Sequence, residues 1–491
     1  MNKRIIYIPH DHLNAERGAL KIADPSTDVV VLVESQRMIQ GRPWHPERLF
    51  FLLSSARHFA TEMADKGFTV RYLQAATTID GLEQARAEFG NLPIVAAQAS
   101  SHRQLEGLSD FGIQWLDNDF FLTSRALFAQ WASEQKTFVM ENFYRAQRKR
   151  LNILITNGKP VADRWNFDAD NRLPPPKQRD WPIPIEHARD EIDKQVAEQL
   201  GYEPTSTWAT TRAGALAQLE HFVDNNLEHF GPYEDAVTDQ SWALHHSLLS
   251  PYLNNGLLTP QEVITKVLQR FDAGLAPIES VEAFVRQIIG WREYINGMYW
   301  FLGEDYREQN ALSAKRKLPP LFSDSSKTKM NCVATVVRQV ETRAWTHHIP
   351  RLMILSNLAL ITGTNPQQFL DWMRENFVDA SEWVMVPNII GMATYADGGK
   401  LMTKPYAGGG SYLSRMTNLC KGCAYDPKAR VGENACPFTT LYWDFLDRHR
   451  EEFLDNHRMF QQINGLNRLS DLPELRIRAK QVLTGIDQGT I

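Results

Sequence analysis

Val29-Val-Val-Leu-Val-Glu34 and Phe68-Thr-Val-Arg-Tyr-Leu73 flank a stretch, residues 46–66, in which Leu49, Leu52, Leu53, Ala56, Phe59, Ala60 and Met63 recur at spacings of three and four. The β-branched runs read as strands and the periodic stretch between them as an amphipathic helix. Strand, helix and strand in that order predict a parallel pair, because parallel neighbours need a crossover to bring the chain back to the same edge. Working outward, residues 5–9, 93–98 and 112–116 read as further strands and 81–89 as a shorter helix. The first 120 residues are therefore expected to form a doubly wound parallel α/β sheet. The first strand runs into Ile8-Pro-His-Asp-His12 and no G-x-G-x-x-G follows it, so the ordinary dinucleotide fingerprint is absent.

Residues 161–204 are polar and rich in proline, with Leu173-Pro-Pro-Pro176 and Trp181-Pro-Ile-Pro184, and read as a connector wrapping a surface. From residue 213 onward the strand signal fades. Helical periodicity recurs over 260–271, 281–301, 334–362 and 366–377, which predicts a large all-helical domain. The expected division is 1–130 for the α/β domain, 131–212 for the connector and 213–491 for the helical domain. Hydrophobic residues at 43% and charged residues at 23% exclude a disordered or fibrous chain. The longest apolar stretch, 349–363, is broken by Arg351, Ser356, Asn357 and Thr362, too short for a membrane span. With no hydrophobic leader after Met1-Asn-Lys-Arg4, a cytoplasmic protein without membrane contact is expected. Net charge is −5, so a nucleic-acid partner would have to be met by a local basic face.

Three constellations carry chemistry. The first is cysteine: Cys332 lies far upstream of Cys420-x-x-Cys423, with Cys436-Pro437 following after twelve residues. Four thiolates suit tetrahedral zinc or an iron-sulfur cluster, and spacing does not separate the two. The plain alternative is a set of buried free thiols. The second is Trp345-Thr-His-His-Ile-Pro-Arg351, read as a helix with its histidines about 100° apart and Arg351 one turn on from His347. A protonated imidazole there could act as a general acid, although paired histidines can equally be hydrogen-bonded core residues, as His245-His246 reminds us. The third is Ser247-Leu-Leu-Ser250-Pro-Tyr-Leu253, whose hydroxyls and amides suit phosphate oxygens, with Arg286, Trp291 and Arg292 on the next amphipathic helix. Phosphate donors beside aromatic walls are what a flavin dinucleotide needs.

Taken with Arg164-Trp-Asn-Phe-Asp168-Ala-Asp-Asn-Arg172 and Thr403-Lys-Pro-Tyr406, these motifs resemble the cryptochrome and photolyase superfamily. Within it they are similar to the iron-sulfur bacterial branch, whose repair members act on pyrimidine (6-4) photoproducts. The resemblance covers nearly the whole chain. It implies an antenna domain, a connector and a helical domain holding U-shaped FAD, with a 4Fe-4S cluster on Cys332, Cys420, Cys423 and Cys436. It places Ser247, Leu248, Leu249 and Ser250 at the FAD phosphates, Arg286, Trp291 and Arg292 along the flavin cavity, and Arg351 in a salt bridge with Asp379 beside the flavin ring. Met385 falls opposite flavin N5, where superfamily members carry a polar or acidic residue.

The same resemblance gives His347 and His348 as proton donors to the lesion and Tyr406 and Tyr412, with Met392 nearby, as its pocket. Trp372 matches the flavin-proximal tryptophan of the electron-transfer path, followed here by Met373. Asp11, Glu34 and Met38 match the pocket of a 6,7-dimethyl-8-ribityllumazine antenna. The implied activity is light-driven repair of (6-4) photoproducts in UV-damaged DNA, double- or single-stranded, by a monomeric lyase. Arg145, Arg148, Lys149, Arg150, Lys315, Arg316, Lys317, Lys327 and Lys329 are the expected phosphate contacts. A blue-light receptor with the same cofactors is the rival reading, favoured by Met385 and by the lack of a tryptophan in Phe322-Ser-Asp-Ser-Ser-Lys327. A third is a light-independent nucleic-acid-binding iron-sulfur protein similar to primase large subunits, against which the flavin motifs stand.

Overall fold

The computed structural model describes residues 3–491. Five strands, β1 (Arg4–Tyr7), β2 (Asp28–Ser35), β3 (Thr69–Ala75), β4 (Ile94–Ala97) and β5 (Ile113–Leu116), pair in the order β3-β2-β1-β4-β5. Every pairing is parallel, as the alternation of strands and helices predicts. Helix α1 (Pro46–Asp65) covers one face and α2 (Thr78–Phe89) the other. Ile5, Tyr7, Val29, Val31 and Val33 pack with Leu82 and Ala85 of α2. Their neighbours Ile6, Ile8, Val30 and Leu32 pack with Phe51, Ala56 and Phe59 of α1. All eight residues of β2 are buried, which is why its middle, Val29 to Val33, runs continuously apolar instead of alternating.

The second face does more than bind α1. Its cluster continues into Trp208, Leu219, Tyr252 and Leu253, so the sheet and the helical region share one core. Their seam is tight at Gly256, where φ is +91° and a Cβ would sit 2.8 Å from the backbone nitrogen of Leu13. Leu13 donates its N–H to the carbonyl of Asn255 (2.9 Å), and the Asn14 amide donates to the carbonyl of Gly256 (3.1 Å). These bonds hold the short helix Ser250–Asn255, which presents Ser250 to the interior cavity. From α1, Arg48 donates to the carbonyls of Phe377 (2.8 Å) and Val378 (3.2 Å), fixing the backbone just ahead of Asp379.

Three details depart from the sequence expectation. Helix α2 begins at Thr78, ahead of residue 81, because Thr77 and Asp80 form a capping box. The proline-rich stretch 161–204 contains a helix, Glu191–Leu200, started by an Asp190–Asp193 capping box and packed through Val196 onto Phe50 and Leu53 of α1. The stretch 334–362 is not one helix. Asn331–Arg343 stops at Ala344, whose φ of +52° no helix can continue, and helical backbone resumes only at residue 348. Helices then dominate to the C-terminus, and no helix among the described residues is long and apolar enough to cross a membrane.

Candidate flavin and lesion site

A cavity of about 1030 Å³ opens within the helical region, at the upper end of the range for small-molecule sites. Three π-helical segments, Arg286–Arg292, Pro350–Ser356 and Pro387–Ala393, all supply its walls. A π turn inserts one residue into a helix and re-aims the side chains that follow, a device concentrated at functional sites. Prolines open two of the three, where their missing N–H removes an α-type hydrogen bond.

At the centre Arg351 grips Asp379 with two parallel bonds, Nη1 to Oδ1 at 2.9 Å and Nη2 to Oδ2 at 3.0 Å. The Ser250 hydroxyl donates to the same carboxylate (2.7 Å), and Arg351 Nε donates to the carbonyl of Thr346 (2.6 Å). The pair is largely buried, so removing either partner would strand a charge at a cost on the order of 3–5 kcal/mol.

The two adjacent histidines occupy different settings. His347 precedes the resumed helix, its carbonyl accepting the Arg351 N–H (3.3 Å), and its ring is buried and stacked on His246 at 4.2 Å. Neither ring nitrogen of His347 has a partner. His348, the next residue, has its ring exposed to the cavity and walled by protein elsewhere. The expectation that both lie within a helix fails because Ala344 breaks it, and the break separates the two rings. Burial and the Arg351 charge hold His348 down to about 4, and burial with its cationic neighbours holds His246 at about 3 and His347 well below the ordinary value. All three imidazoles are neutral at pH 7.

Tyr406, Tyr412, Met392, Lys404 and Arg415 line the cavity around the histidines. At another part of the wall Arg286 bridges Asp168 (2.5 Å) and Glu282 (3.1 Å), and Glu234, buried beside Asp235 and Asp168, is pushed up to about 8. Arg292 stacks over Phe121 at 4.2 Å and over Trp383 at 5.3 Å.

Some distance along the chain, Cys332 on the helix Asn331–Arg343, Cys420, Cys423 and Cys436 converge closely enough that each of the other three raises the Cys332 thiol, after burial itself. Burial and the neighbouring sulfurs push Cys420 up to about 11. Gly410 leaves room for this group, since a Cβ there would sit 2.8 Å from Cys436 Sγ.

A family model for deoxyribodipyrimidine photo-lyase-related proteins matches residues 6–212. A protein named (6-4) photolyase, from Agrobacterium fabrum, is 38% identical across 97% of this chain and 98% of its own length. The chain belongs to the deoxyribodipyrimidine photolyase-related family. In fold it is similar to a bacterial class III photolyase from Agrobacterium tumefaciens (TM-score 0.57, 16% identity, 99% of this chain and 98% of that one) and to a Synechocystis cryptochrome (0.55, 14%, 80% and 83%).

In this photolyase-related chain the cavity gathers Ser247, Leu248, Ser250, Arg286, Trp291, Arg292, Arg351, Asp379, Met385, His347, His348, Tyr406 and Tyr412. Leu249 instead packs into the core shared with the sheet. Trp372 is not among the lining residues, unlike its neighbour Met373; it is buried, stacked on Phe369 at 6.0 Å and meeting Phe322 edge-on at 5.0 Å. Asp11, Glu34 and Met38 lie near the carboxyl ends of β1 and β2. The Glu34 carboxylate accepts from Arg57 (2.8 Å), Tyr72 (2.7 Å), Gln74 (3.1 Å) and Gln199 (2.8 Å), while His10, over Tyr72, has no partner at either ring nitrogen.

None of the nine cations expected at DNA phosphates lines the cavity, and Arg148 is fully buried, donating to the carbonyls of Ile153, Leu154 and Trp165. The cations that do line it are Arg172, Lys404 and Arg415, alongside Arg286, Arg292 and Arg351. His246, Trp345, Trp383, Asn254 and Asn388 also line the cavity. The sequence offers His246 only as one of an ordinary histidine pair and Trp345 only as the start of the His347 stretch, and it gives Trp383, Asn254 and Asn388 no role of their own.

Because the native imidazoles of His246, His347 and His348 resist protons that the unfolded chain accepts near pH 6.5, their contribution to stability is complete above that pH and is lost as pH falls toward 4. Thermal melts from pH 7.5 to 4.5 should show a steeper acid decline for the native protein than for His246→Phe, which keeps the ring stack. Identical slopes would remove His246 from this account.

Proposed function

We propose that this chain is a light-driven lyase that repairs pyrimidine (6-4) photoproducts in DNA, holding FAD and the lesion in the one cavity. The observation that carries the reading is the setting of His348, an imidazole open to a dinucleotide-sized cavity that the Arg351–Asp379 ion pair also lines. The name and near-complete coverage of the Agrobacterium fabrum relative support it.

The residues present fit FAD: apolar and aromatic walls from Trp291, Trp383 and Met385, hydroxyls of Ser247 and Ser250, and a buried cation balanced by a carboxylate. Reduced FAD, bound there, supplies an electron to the lesion on absorbing light, directly or from an antenna. Ser247 and Leu248, the latter in a left-handed turn with φ of +58°, offer hydroxyl and backbone groups to the pyrophosphate. Arg351 fixes a positive charge beside the ring and Asp379 holds the guanidinium in place. Met385 presents no hydrogen bond to that ring. Trp372, next to Met373 in the chain, is the first electron-transfer residue on the way out of the cavity. Asp11, Glu34, Met38 and His10 outline the lumazine antenna site at the strand ends, consistent with the rule that such sheets bind ligands there.

Reversal of a (6-4) adduct is redox-neutral: the bond between the two bases breaks and a hydroxyl or amino group returns to the neighbouring base, so the proton and the electron that the lesion borrows would both be given back, to the imidazole and to the flavin site, once the two bases are restored. His348 Nδ1 or Nε2 holds that proton. The damaged dinucleotide brings phosphate charge to the cavity mouth, and a nearby anion raises an imidazole's proton affinity above the low value that burial and Arg351 impose. Tyr406, Tyr412 and Met392 wall the flipped bases from water, and flipping costs least at a damaged, poorly stacked site.

The four convergent cysteine sulfurs fit a 4Fe-4S cluster, which four thiolates hold. Close to four iron and four sulfide per purified chain is expected; one zinc per chain would contradict the assignment.

His348→Ala should keep its flavin, judged by absorbance, yet lose repair of a (6-4) oligonucleotide by at least about 100-fold. In the native protein repair should fall as pH rises through the value His348 takes in the complex. Undiminished repair by His348→Ala would remove the proton donor from this mechanism.

A further inference from the structure

Phe460 opens the helix Phe460–Leu466 with 64% of its surface in water, the most exposed aromatic ring among the described residues. It has no aromatic neighbour, unlike Phe301, which rests on Phe138. Buried neighbours on either side, Met459 and Ile463, clamp the backbone that carries it, so the ring is held outward rather than left loose. Its place in the fold is specific. Gln462, two residues on, lines the cavity, and Arg458, two residues before, lies close enough to Tyr406 to act on its hydroxyl electrostatically. Asn456 ties the same loop to the carbonyl of Thr403 (2.9 Å), next to Lys404.

We propose that Phe460 is a wedge that enters the duplex where the damaged dinucleotide has left it, with Arg458 and Lys404 holding the flanking phosphates. This rests on the reading that damaged DNA is the substrate. A flipped dinucleotide leaves a gap flanked by unstacked bases, and an aromatic ring that stacks in that gap opposes reclosure. Because its backbone is anchored by Met459 and Ile463, the ring has only its own side-chain torsions to fix on entering. Arg458 and Lys404, carried on the same loop and on the segment that Asn456 ties to it, neutralise the phosphates drawn together by the resulting bend. A single exposed apolar side chain is ordinary on a protein surface. An unpartnered aromatic on the chain between Gln462, which lines the cavity, and Arg458, which acts on the cavity-lining Tyr406, is not.

The test compares binding of the full flavin-loaded protein to two forms of one (6-4) oligonucleotide, duplex and single-stranded, the duplex carrying 2-aminopurine opposite the lesion. Phe460→Ala should bind the duplex about tenfold more weakly and lose the 2-aminopurine fluorescence rise. Its affinity for the single strand should be unchanged, since no gap need be held open there. Phe460→Trp should restore duplex binding. A merely structural role would weaken both forms alike or change the flavin absorbance, and equal loss on both forms overturns the wedge. So does a Phe460→Ala protein with native duplex affinity and native fluorescence. If the native protein itself does not prefer either damaged form over undamaged DNA, the substrate reading fails instead, and the wedge with it.

Discussion

The bidentate contact between Arg351 and Asp379 is the constraint on which the rest of the site depends. Its two partners come from different segments, and both segments are pinned by groups outside the cavity. Arg48 of α1 holds the carbonyls of Phe377 and Val378, and the N–H of Val378 bonds the carbonyl of Ala344 (2.8 Å), the residue at which the preceding helix stops. Thr346 then receives Arg351 Nε, and Ser250, carried on a helix that the seam at Gly256 fixes to the sheet, completes the carboxylate's bonding. The α/β sheet therefore helps position the helical cavity. A charge pair in such a setting is a poor source of net stability but a strong constraint on geometry.

The two histidines differ for a separate reason. Burial, with the Arg351 charge adding to it, lowers both rings' proton affinity, and the helix break at Ala344 leaves one ring in the His246 stack and the other lining the cavity. Charge brought by a substrate then acts on the open ring. The three π turns belong to the same design, since each lets a buried helix turn additional side chains toward one space.

Much of this was legible in the sequence. The strands could be read because both faces of a parallel sheet are buried, leaving unbroken β-branched runs such as Val29 to Val33. The cysteines and the Ser247, Arg351 and Asp379 stretches were legible through chemistry bound to residue type, with family resemblance supplying the pairing across sequence. What escaped was geometry without a residue signature. Ala344 adopts a left-handed backbone as a non-glycine residue, π turns have no sequence mark, and the capping box at Asp190 and Asp193 lay hidden in a proline-rich stretch. Charge was the least readable feature of all. Arg148 looks like any basic surface residue in sequence, yet three backbone carbonyls and the Trp165 ring absorb it into the interior.

The central claim is that one cavity joins a photoactive flavin to a proton donor suited to (6-4) chemistry. The most direct measurement is product formation by purified, photoreduced protein on an oligonucleotide carrying one (6-4) photoproduct, in blue light and in darkness, beside an oligonucleotide carrying a cyclobutane dimer. The account predicts light-dependent restoration of the (6-4) substrate and none of the dimer. Protein with full flavin and iron that restores neither would contradict it and leave a light receptor as the better description.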